Sequence, residues 1–309
     1  MNVFRNIAGL ASLPGPLVVA AGVFDGMHLG HRAVLQSAFD SAKAAGGTAV
    51  ALTFDPHPSK ILRPHNSARL LTSTRHKLRL MEELGISVVL VIPFDKEFAA
   101  VEAEDFLRQL GSSARHLVRI CVGQGWRFGH ARRGDADMLR RLGPELGFET
   151  TEVEPVQIDG TTVSSTLIRQ AVESGDLETA RRLLGRRYSV LGTVMPGDGL
   201  GKKLGFPTAN LAAHNEQFPP DGVYSVQVQL GGRVVPGVAN IGSRPTVKTA
   251  GDRLLEVHLI GYSGDLYGQD IEAEFLRFLR PEKKFPDLDA LRAQIALDVR
   301  AAALGGPFT

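Results

Sequence analysis

The 309-residue chain has one cysteine and one tryptophan, and its 35 Lys and Arg nearly balance its 33 Asp and Glu. A lone cysteine cannot form an internal disulfide, and Cys121 lies in an apolar run, so we interpret it as a buried side chain of a cytoplasmic protein. No basic block is present, which argues against duplex DNA or an anionic membrane as a partner. Small anionic substrates remain compatible with this charge distribution.

Long hydrophobic runs are also missing. The longest early run covers residues 17–24, far fewer than the about 20 residues of a membrane-spanning helix. This part of the chain resembles a secretory signal only faintly, because Pro14 and Pro16 lie just before the run and Asp25 directly follows the run. We expect neither export nor a membrane anchor. With 43% hydrophobic residues, the chain can instead build two domains with cores of their own.

Short β-branched runs alternate with amphipathic stretches in the first half of the chain. The predicted strands cover residues 17–24, 48–54, 88–94, 117–122 and 149–156, and the predicted helices cover 32–45, 75–84, 103–110 and 136–146. This alternation predicts an α/β domain over residues 1–187, with a Rossmann-like parallel sheet, helices on both faces, and a ligand crevice at the carboxyl ends of the strands.

The periodicity changes to two at Tyr188. Predicted strands follow at residues 188–194, 222–230, 233–241, 254–260 and 271–279, before a terminal helix at 288–304. Several short strands at this spacing predict a second domain over residues 188–309, a small closed β-barrel with a terminal helix.

The most specific pattern in the first domain is Gly-Val-Phe-Asp-Gly-Met-His-Leu-Gly-His at residues 22–31, between the first predicted strand and helix. The free N–H groups at a helix start favour an anion, His28 and His31 can donate hydrogen bonds to the same phosphate, and Gly30 permits its close approach. The pattern therefore predicts a phosphate-transfer site. Without the glycines and the strand-loop-helix context, two solvated histidines would be the ordinary interpretation.

The second domain offers a glycine-rich segment at residues 197–210 and a carboxylate on a strand. The segment is no P-loop, because it lacks the Gly-Lys-Ser/Thr ending and the helix that follows it. Strand alternation puts Glu256 on the face opposite Leu255 and Val257. A carboxylate fixed among apolar neighbours can act as a general base, although a polar outer face is the ordinary interpretation of such a residue.

The His-Xaa-Gly-His segment resembles that of nucleotidyltransferases, and the full string 22–31 resembles the bifunctional bacterial riboflavin kinase/FMN adenylyltransferase (FAD synthetase) family. Further segments extend the resemblance along nearly the whole chain. They are Thr-Phe-Asp-Pro-His-Pro at 53–58, Leu71-Thr72 with Lys77, Phe128-Gly129 with Gly134-Asp135, Val-Ser-Ser-Thr-Leu-Ile-Arg at 163–169, and Gly-Phe-Pro-Thr-Ala-Asn at 205–210.

The resemblance implies that the first domain is a nucleotidyltransferase that moves AMP from ATP to FMN, releasing pyrophosphate with Mg²⁺ present. His28 and His31 would be its catalytic residues, and Phe128 would contact the flavin. Residues implied to bind ATP or phosphate in this domain are Gly22, Phe24, Asp25, Gly30, His57, Ser165, Thr166 and Arg169.

For the second domain the resemblance implies phosphorylation of riboflavin to FMN by ATP, with Glu256 as the general base. Thr208 and Asn210 would hold Mg²⁺, and Arg280 and Asn240 would contact the flavin. Phosphate binding is implied for Gly199, Gly201, Lys202 and Gly205. The partners are then the small molecules riboflavin, FMN and ATP, without nucleic acid or membrane, and we expect a monomer or weak homo-oligomer.

One position departs from the family's pattern. Where the family usually has Asp or Asn in a Gly-Glu-Xaa-Phe-Xaa-Phe-Gly-like segment, this chain has Gly125. One alternative is therefore a riboflavin kinase with weakened or lost adenylyltransferase activity, and another is a non-catalytic flavin or nucleotide sensor. The presence of His28, His31 and Glu256 argues against the sensor, which needs neither an α-phosphate clamp nor a base.

Overall fold

The computed structural model describes residues 1–197, 199–230, 232–243 and 253–304. The chain divides into two compact units, Met1–Leu70 with Thr74–Ser165, and Leu71–Ser73 with Thr166–Thr309. This division lies N-terminal to the predicted domain boundary at 187/188, which stays a prediction. Position 198 of the glycine-rich segment lies outside the described residues.

The first unit alternates strands and helices. Its strands are β1 (Asn2–Phe4), β2 (Leu17–Ala21), β3 (Thr48–Asp55), β4 (Val88–Pro93), β5 (Leu117–Gly123), β6 (Glu149–Val153), β7 (Gln157–Ile158) and β8 (Thr161–Thr162). Its helices are α1 (Leu29–Ala44), α2 (Pro58–Leu62), α3 (Thr74–Glu83), α4 (Lys96–Ala99), α5 (Ala103–Ser113) and α6 (Ala136–Leu146), with 3-10 turns at Ile7–Ser12, Pro64–Asn66 and His130–Arg132.

Six of these strands form one parallel sheet in the order β1-β4-β3-β2-β5-β6, while β7 and β8 form a separate hairpin. The order reverses at β2, because the chain proceeds outward from β2 through β3 to β4 and then returns to β5 on its other side. In such sheets the crevice outside the carboxyl ends of the strands at the reversal is the ordinary ligand site.

Both faces of the sheet are buried. Leu17, Val19 and Ala21 of β2 pack in a core that includes residues of α5 and α6, whereas Val18 and Ala20 pack with residues of α1 and α3. A strand covered on both faces needs apolar residues at every position, which explains its continuous hydrophobic run. The predicted parallel sheet with helices on both faces is confirmed, and β1 is an additional edge strand that the sequence patterns did not predict.

The second unit contains an antiparallel barrel. Its helices are α7 (Ser165–Ser174, entering from the first unit), α8 (Leu177–Leu184), α9 (Leu200–Lys203) and α10 (Leu288–Leu304). Its strands are β9 (Ser189–Met195), β10 (Thr208–Ala213), β11 (Gly222–Leu230), β12 (Arg233–Ser243), β13 (Arg253–Leu259) and β14 (Asp270–Arg280). They close in the order β10-β13-β12-β11-β14-β9, which confirms the predicted barrel with its terminal helix.

Strand β10 was not predicted. Its sequence Thr-Ala-Asn-Leu-Ala-Ala has one β-branched residue and no aromatic residue, so its intrinsic preference for a strand is weak. Pairing with β9 and β13 supplies the missing stabilisation. Within the described part of the chain, no helix combines the length and the apolar character needed to cross a membrane.

Candidate active sites

The loop from Gly22 to His28 leaves the carboxyl end of β2 and leads into α1. Phe24 and Met27 have φ angles of 54° and 46°, a left-handed conformation that residues other than glycine rarely adopt. Their side chains are buried at 1% and 0% exposure. A Cβ at Gly22 would lie 2.8 Å from the Phe24 ring. The loop is therefore held in an unusual conformation by packing from the residues around it.

His28 and His31 lie together at the start of α1. Their rings stack with centroids 3.5 Å apart, and the edge contact between Phe24 and His31 spans 5.4 Å. His28 is the N-cap of α1, since its Nδ1 accepts a hydrogen bond from the His31 backbone N–H at 3.2 Å. With Nδ1 as the acceptor, the neutral His28 ring carries its proton on Nε2, where it can donate to a bound anion.

Gly30 and Ser165 lie beside this loop. A Cβ at Gly30 would come within 3.2 Å of the His28 ring, so a larger residue there would crowd the stacked rings. The Ser165 hydroxyl donates to the backbone carbonyl of Asp25 at 2.9 Å, and Asp25 is 2% exposed. Thr166 and Arg169 follow Ser165 in the first turns of α7 and belong to the second unit.

A cavity of about 440 Å³ lies in the first unit. It contains both His57 and Phe128 in its lining, as well as Val23 of the loop. His57 caps α2, because its Nδ1 accepts from the backbone N–H of Ser59 at 3.1 Å. Five further aromatic side chains line it; they are Phe54, Phe94, Phe98, Phe106 and Trp126.

These aromatic rings make one continuous cluster. Trp126 and Phe128 stack with centroids 4.6 Å apart, and edge or tilted contacts of 5.7–6.1 Å join the phenylalanines. Arg63, Arg127 and Arg132 also line the cavity. An apolar slot with a few cationic groups suits a planar aromatic ligand that carries an anionic group.

Of the aromatic residues in this cavity, only Phe128 was among the predicted flavin contacts. A usable signal was present, because Phe54, Phe94 and Trp126 each lie at or just beyond the carboxyl end of a parallel strand. Gly125, also in the lining, has a φ of 75°. No atom of the described residues lies within 4 Å of a Cβ built there, so an asparagine, which tolerates this conformation, would fit.

The second unit brings Asn210, Glu256 and Asn240 into one row across three strands. Asn210 of β10 pairs with Glu256 of β13, and Glu256 pairs in turn with Asn240 of β12. Leu255 and Val257 are both 0% exposed, which places the half-buried Glu256 on the outer face of the barrel. Alternation along β10 puts Thr208 on the same face as Asn210.

The glycine-rich segment packs directly against this row. A Cβ at Gly197 would lie 2.0 Å from Asn210 Nδ2, and one at Gly201 would lie 3.1 Å from Thr208 Oγ1. Gly199 caps α9 with a φ of 69°. Gly197 therefore allows the backbone to approach Asn210 more closely than a residue with a Cβ would permit, and Gly201 lies close beside Thr208.

A cavity of about 700 Å³ adjoins the row. Its lining includes seven of the residues implied for this site, which are Gly199, Gly201, Thr208, Asn210, Asn240, Glu256 and Arg280. Lys202 and Gly205, also implied, do not line it. The lining also contains His258, Lys283 and Lys284, which the sequence analysis did not select.

Arg280 is held by an ion pair inside this lining. Its Nη2 lies 2.8 Å from Asp298 Oδ2, and Asp298 of α10 is 5% exposed. Nη1 donates to the backbone carbonyl of Pro281 at 3.0 Å, and the guanidinium lies 5.7 Å from the Phe285 ring centroid. These contacts attach α10 to β14, so the implied role of Arg280 in flavin contact would have to be combined with this structural one.

Two family models match the chain in succession. Residues 11–167 match the model described as FAD synthetase, and residues 184–304 match the model described as riboflavin kinase. The bifunctional riboflavin kinase/FMN adenylyltransferase of Escherichia coli strain K12 is 40% identical over 301 residues, which cover 96% of each chain. The protein of the same description from Haemophilus influenzae is 38% identical and covers 98% of each chain.

A solved structure resembles the whole chain. The crystal structure of a protein described as a macrolide-efflux protein from Streptococcus pneumoniae matches with a TM-score of 0.82 and 26% sequence identity. The match covers 98% of this chain and 99% of the other. The arrangement of a parallel sheet followed by a barrel is therefore shared with a protein whose description differs from those of the sequence relatives.

Proposed function

The chain belongs to the bifunctional riboflavin kinase/FMN adenylyltransferase family, and we propose that its first unit adenylylates FMN to FAD while its second unit phosphorylates riboflavin to FMN. The observation that carries this assignment is the pair of matches in sequence, one family to each part of the chain. Each part also contains a cavity: the one in the second unit is lined by Thr208, Asn210 and Glu256, and the one in the first unit is lined by Val23 of the loop that leads to His28. The two relatives described above carry both activities in their names, which favours the bifunctional assignment over a kinase alone or a sensor.

For adenylyl transfer we assign the loop before α1 and the first turn of that helix to the α-phosphate of ATP. The FMN phosphate is already a nucleophile, so no protein base is required. One of its oxygens attacks the α-phosphorus in line. The bond between the α-phosphorus and the oxygen that bridges to the β-phosphate breaks, and pyrophosphate leaves with that oxygen. In this assignment His28 and His31 would donate to the α-phosphate oxygens, whose charge increases during this step. Thr166 and Arg169 stay predicted phosphate ligands.

We assign the aromatic cavity to the isoalloxazine ring of FMN. Stacked Trp126 and Phe128 offer a flat apolar face, and Val23 joins this cavity to the loop that carries the histidines. A ring buried here would leave its ribityl phosphate free to extend toward His28. Stacking on aromatic faces also explains how binding could persist with glycine at position 125.

For the kinase reaction we assign Glu256 as the general base. It would accept the proton of the ribityl hydroxyl as that oxygen attacks the γ-phosphorus and ADP leaves. Asn210 and Asn240 flank it in the strand register, so their amides can orient the carboxylate or the substrate. Gly199 and Gly201 leave space for the phosphates beside Thr208 and Asn210.

The donor set at this site fits Mg²⁺. Thr208 and Asn210 present hard oxygen ligands, and Mg²⁺ usually combines one or two protein oxygens with substrate phosphates and water. No cluster of three His, Cys, Asp or Glu side chains among the described residues could hold a metal alone. A bound Mg²⁺ would neutralise charge between the phosphates. The close approach of Gly197 and Gly201 keeps the two side chains in a cradle that larger residues would fill.

The assignment is tested by incubating the protein with ATP, Mg²⁺ and either riboflavin or FMN and separating the flavins by chromatography. We expect Glu256→Gln to retain riboflavin binding and FAD formation from FMN while FMN formation falls by at least about 100-fold. His28→Ala should show the reverse pattern, with at least about 100-fold slower FAD formation. Undiminished activity of either variant would remove that residue from its assigned role.

We further propose a cytoplasmic location, because both reactions consume ATP and the single cysteine suits a reducing compartment. Riboflavin, FMN and ATP are the proposed partners. A monomer or weak homo-oligomer stays a prediction, which sedimentation equilibrium over a range of concentrations would test.

A further inference from the structure

Lys77 is a buried cation behind the loop that precedes α1. It lies on α3 and is 3% exposed. Its Nζ donates to the backbone carbonyl of Val23 at 2.7 Å and to Thr53 Oγ1 at 3.2 Å. Lysine is almost never buried unless it is paired. The burial of Lys77 is therefore explained by the groups to which its ammonium is hydrogen-bonded.

The Val23 carbonyl accepts two hydrogen bonds at once. Besides Lys77, the hydroxyl of Thr53 donates to it at 3.0 Å. This peptide group immediately precedes Phe24, whose φ of 54° begins the left-handed part of the loop. Fixing the orientation of that carbonyl fixes the start of a turn that would otherwise relax to an ordinary conformation.

Phe24 transmits this constraint to the histidines. Its ring makes the edge contact with His31 at 5.4 Å, and His31 stacks on His28 at 3.5 Å. Lys77 itself does not line the aromatic cavity, although Val23 does. Lys77 therefore affects His28 and His31 only indirectly, through the loop that contains Val23 and Phe24.

Charged groups on two other elements face Lys77. Burial lowers the pKa of Lys77 to about 8, while the carboxylates of Asp25 and Asp55 oppose that shift. Asp55 is itself engaged, since Thr74 Oγ1 donates to it at 2.7 Å and Arg5 lies 3.5 Å away. At neutral pH the ammonium therefore predominates and ties the loop after β2 to the end of β3.

We propose that Lys77 is a positioning residue for adenylyl transfer, which holds the Val23 carbonyl and thereby, through Phe24, the rings of His31 and His28. This inference rests on the proposed assignment of the two histidines. It assigns to the lysine an effect on the rate of the chemical step and not on the binding of FMN or ATP.

The test compares Lys77→Met and Lys77→Arg in the full-length protein, with Lys43→Met as the matched control. Lys43 is an exposed cation in the last turn of α1, at the opposite end of the helix from His28 and His31. We expect Lys77→Met to lower kcat for FAD formation by about 100-fold, as a displacement of reacting groups by about 1 Å can do. KM for FMN and ATP should change by less than threefold, and Lys77→Arg should recover at least a tenth of the native kcat.

The kinase reaction of the same polypeptide is an internal control for folding, and FMN formation should stay within twofold of native in every variant. If Lys77→Met accumulates only as unfolded protein, Thr53→Val provides the second route, since it removes the other donor to Val23. Thr53→Val should lower kcat for FAD formation in the same direction, and combining it with Lys77→Arg should give a non-additive loss.

Several outcomes would overturn the inference. A kcat of Lys77→Met within threefold of native, a change in KM alone, or a parallel loss of FMN formation would each do so, as would a native kcat for Thr53→Val. His28→Ala is assayed alongside. If His28→Ala still forms FAD, the assigned site itself is rejected. If His28→Ala loses FAD formation but Lys77→Met forms FAD at the native rate, only the role of Lys77 is rejected.

Discussion

Lys77 shows what a single residue contributes and what its burial costs. Its ammonium group is removed from water, and two carboxylates and two hydrogen bonds only partly compensate for that loss. The lowered pKa expresses this imbalance, because one pKa unit corresponds to about 1.4 kcal/mol of differential interaction between the charged and neutral forms. A residue kept at such a cost is expected where function requires a fixed backbone.

The pKa of Lys77 predicts how stability depends on pH. The folded value of about 8 lies below the ordinary 10.5, so the folded state binds fewer protons between these two values. The cost of burying the charge is fully present below pH 8 and disappears as the pH rises to 10.5. From pH 8 to 10.5, the free energy of unfolding of the first unit in the native protein should therefore rise by about 3 kcal/mol more than it does in Lys77→Met.

Urea titrations followed by the fluorescence of Trp126, the only tryptophan, would measure this difference in the first unit. The same comparison with Lys43→Met should give no such slope, because that side chain is exposed. A pH-independent difference between native protein and Lys77→Met from pH 8 to 10.5 would contradict the linkage.

At the scale of elements, the ends of strands position the proposed adenylyl-transfer site and the faces of strands position the proposed kinase site. The loop of His28 and the aromatic cavity follow the carboxyl ends of parallel strands. In the barrel, the register between β10, β12 and β13 aligns Asn210, Glu256 and Asn240. The glycine-rich segment completes this second site by packing against Asn210 and Thr208.

Gly197→Ala tests this close packing. The added methyl group would lie 2.0 Å from Asn210 Nδ2, so either the amide or the loop must move. We expect kcat/KM for riboflavin phosphorylation to fall by about 10- to 100-fold, with FAD formation from FMN unchanged. Gly261→Asn, at a left-handed turn with no described atom within 4 Å of its Cβ position, is the matched control and should retain both activities. Native kinase activity in Gly197→Ala would contradict a tight cradle.

For the whole molecule, each unit has a core and a cavity of its own. The product of the kinase reaction is the substrate of the adenylyl transfer, and each reaction has its own set of proposed residues. Two variants that are each defective in one site should therefore complement each other when mixed as separate polypeptides.

We expect an equimolar mixture of His28→Ala and Glu256→Gln to convert riboflavin to FAD through free FMN, after a lag that shortens as protein concentration increases. Each variant alone should form no FAD from riboflavin above about 1% of the native rate. Chromatography of the flavins over time measures both quantities. A mixture that accumulates FMN without FAD would show that the sites cooperate only within one chain.

Local patterns in the sequence determined much of this protein. The change from alternating strand and helix periods to strand periods predicted the parallel sheet and the barrel, because side-chain periodicity is set within a few residues. The His28–His31 pair was recognisable for the same reason, since the whole motif is contiguous. Strand β10 was missed because its residues have weak strand propensity and only its pairing with β9 and β13 makes it a strand.

Only the tertiary structure decided which distant residues meet. The aromatic cavity combines Phe54, Phe94 and Trp126 from three strand ends. Arg280, selected as a flavin contact, is bound to Asp298 of α10, and Lys77 reaches a carbonyl 54 positions earlier. Contacts of this kind depend on packing and strand register, which are set jointly by the whole core and leave no periodic signature near any one of the residues involved.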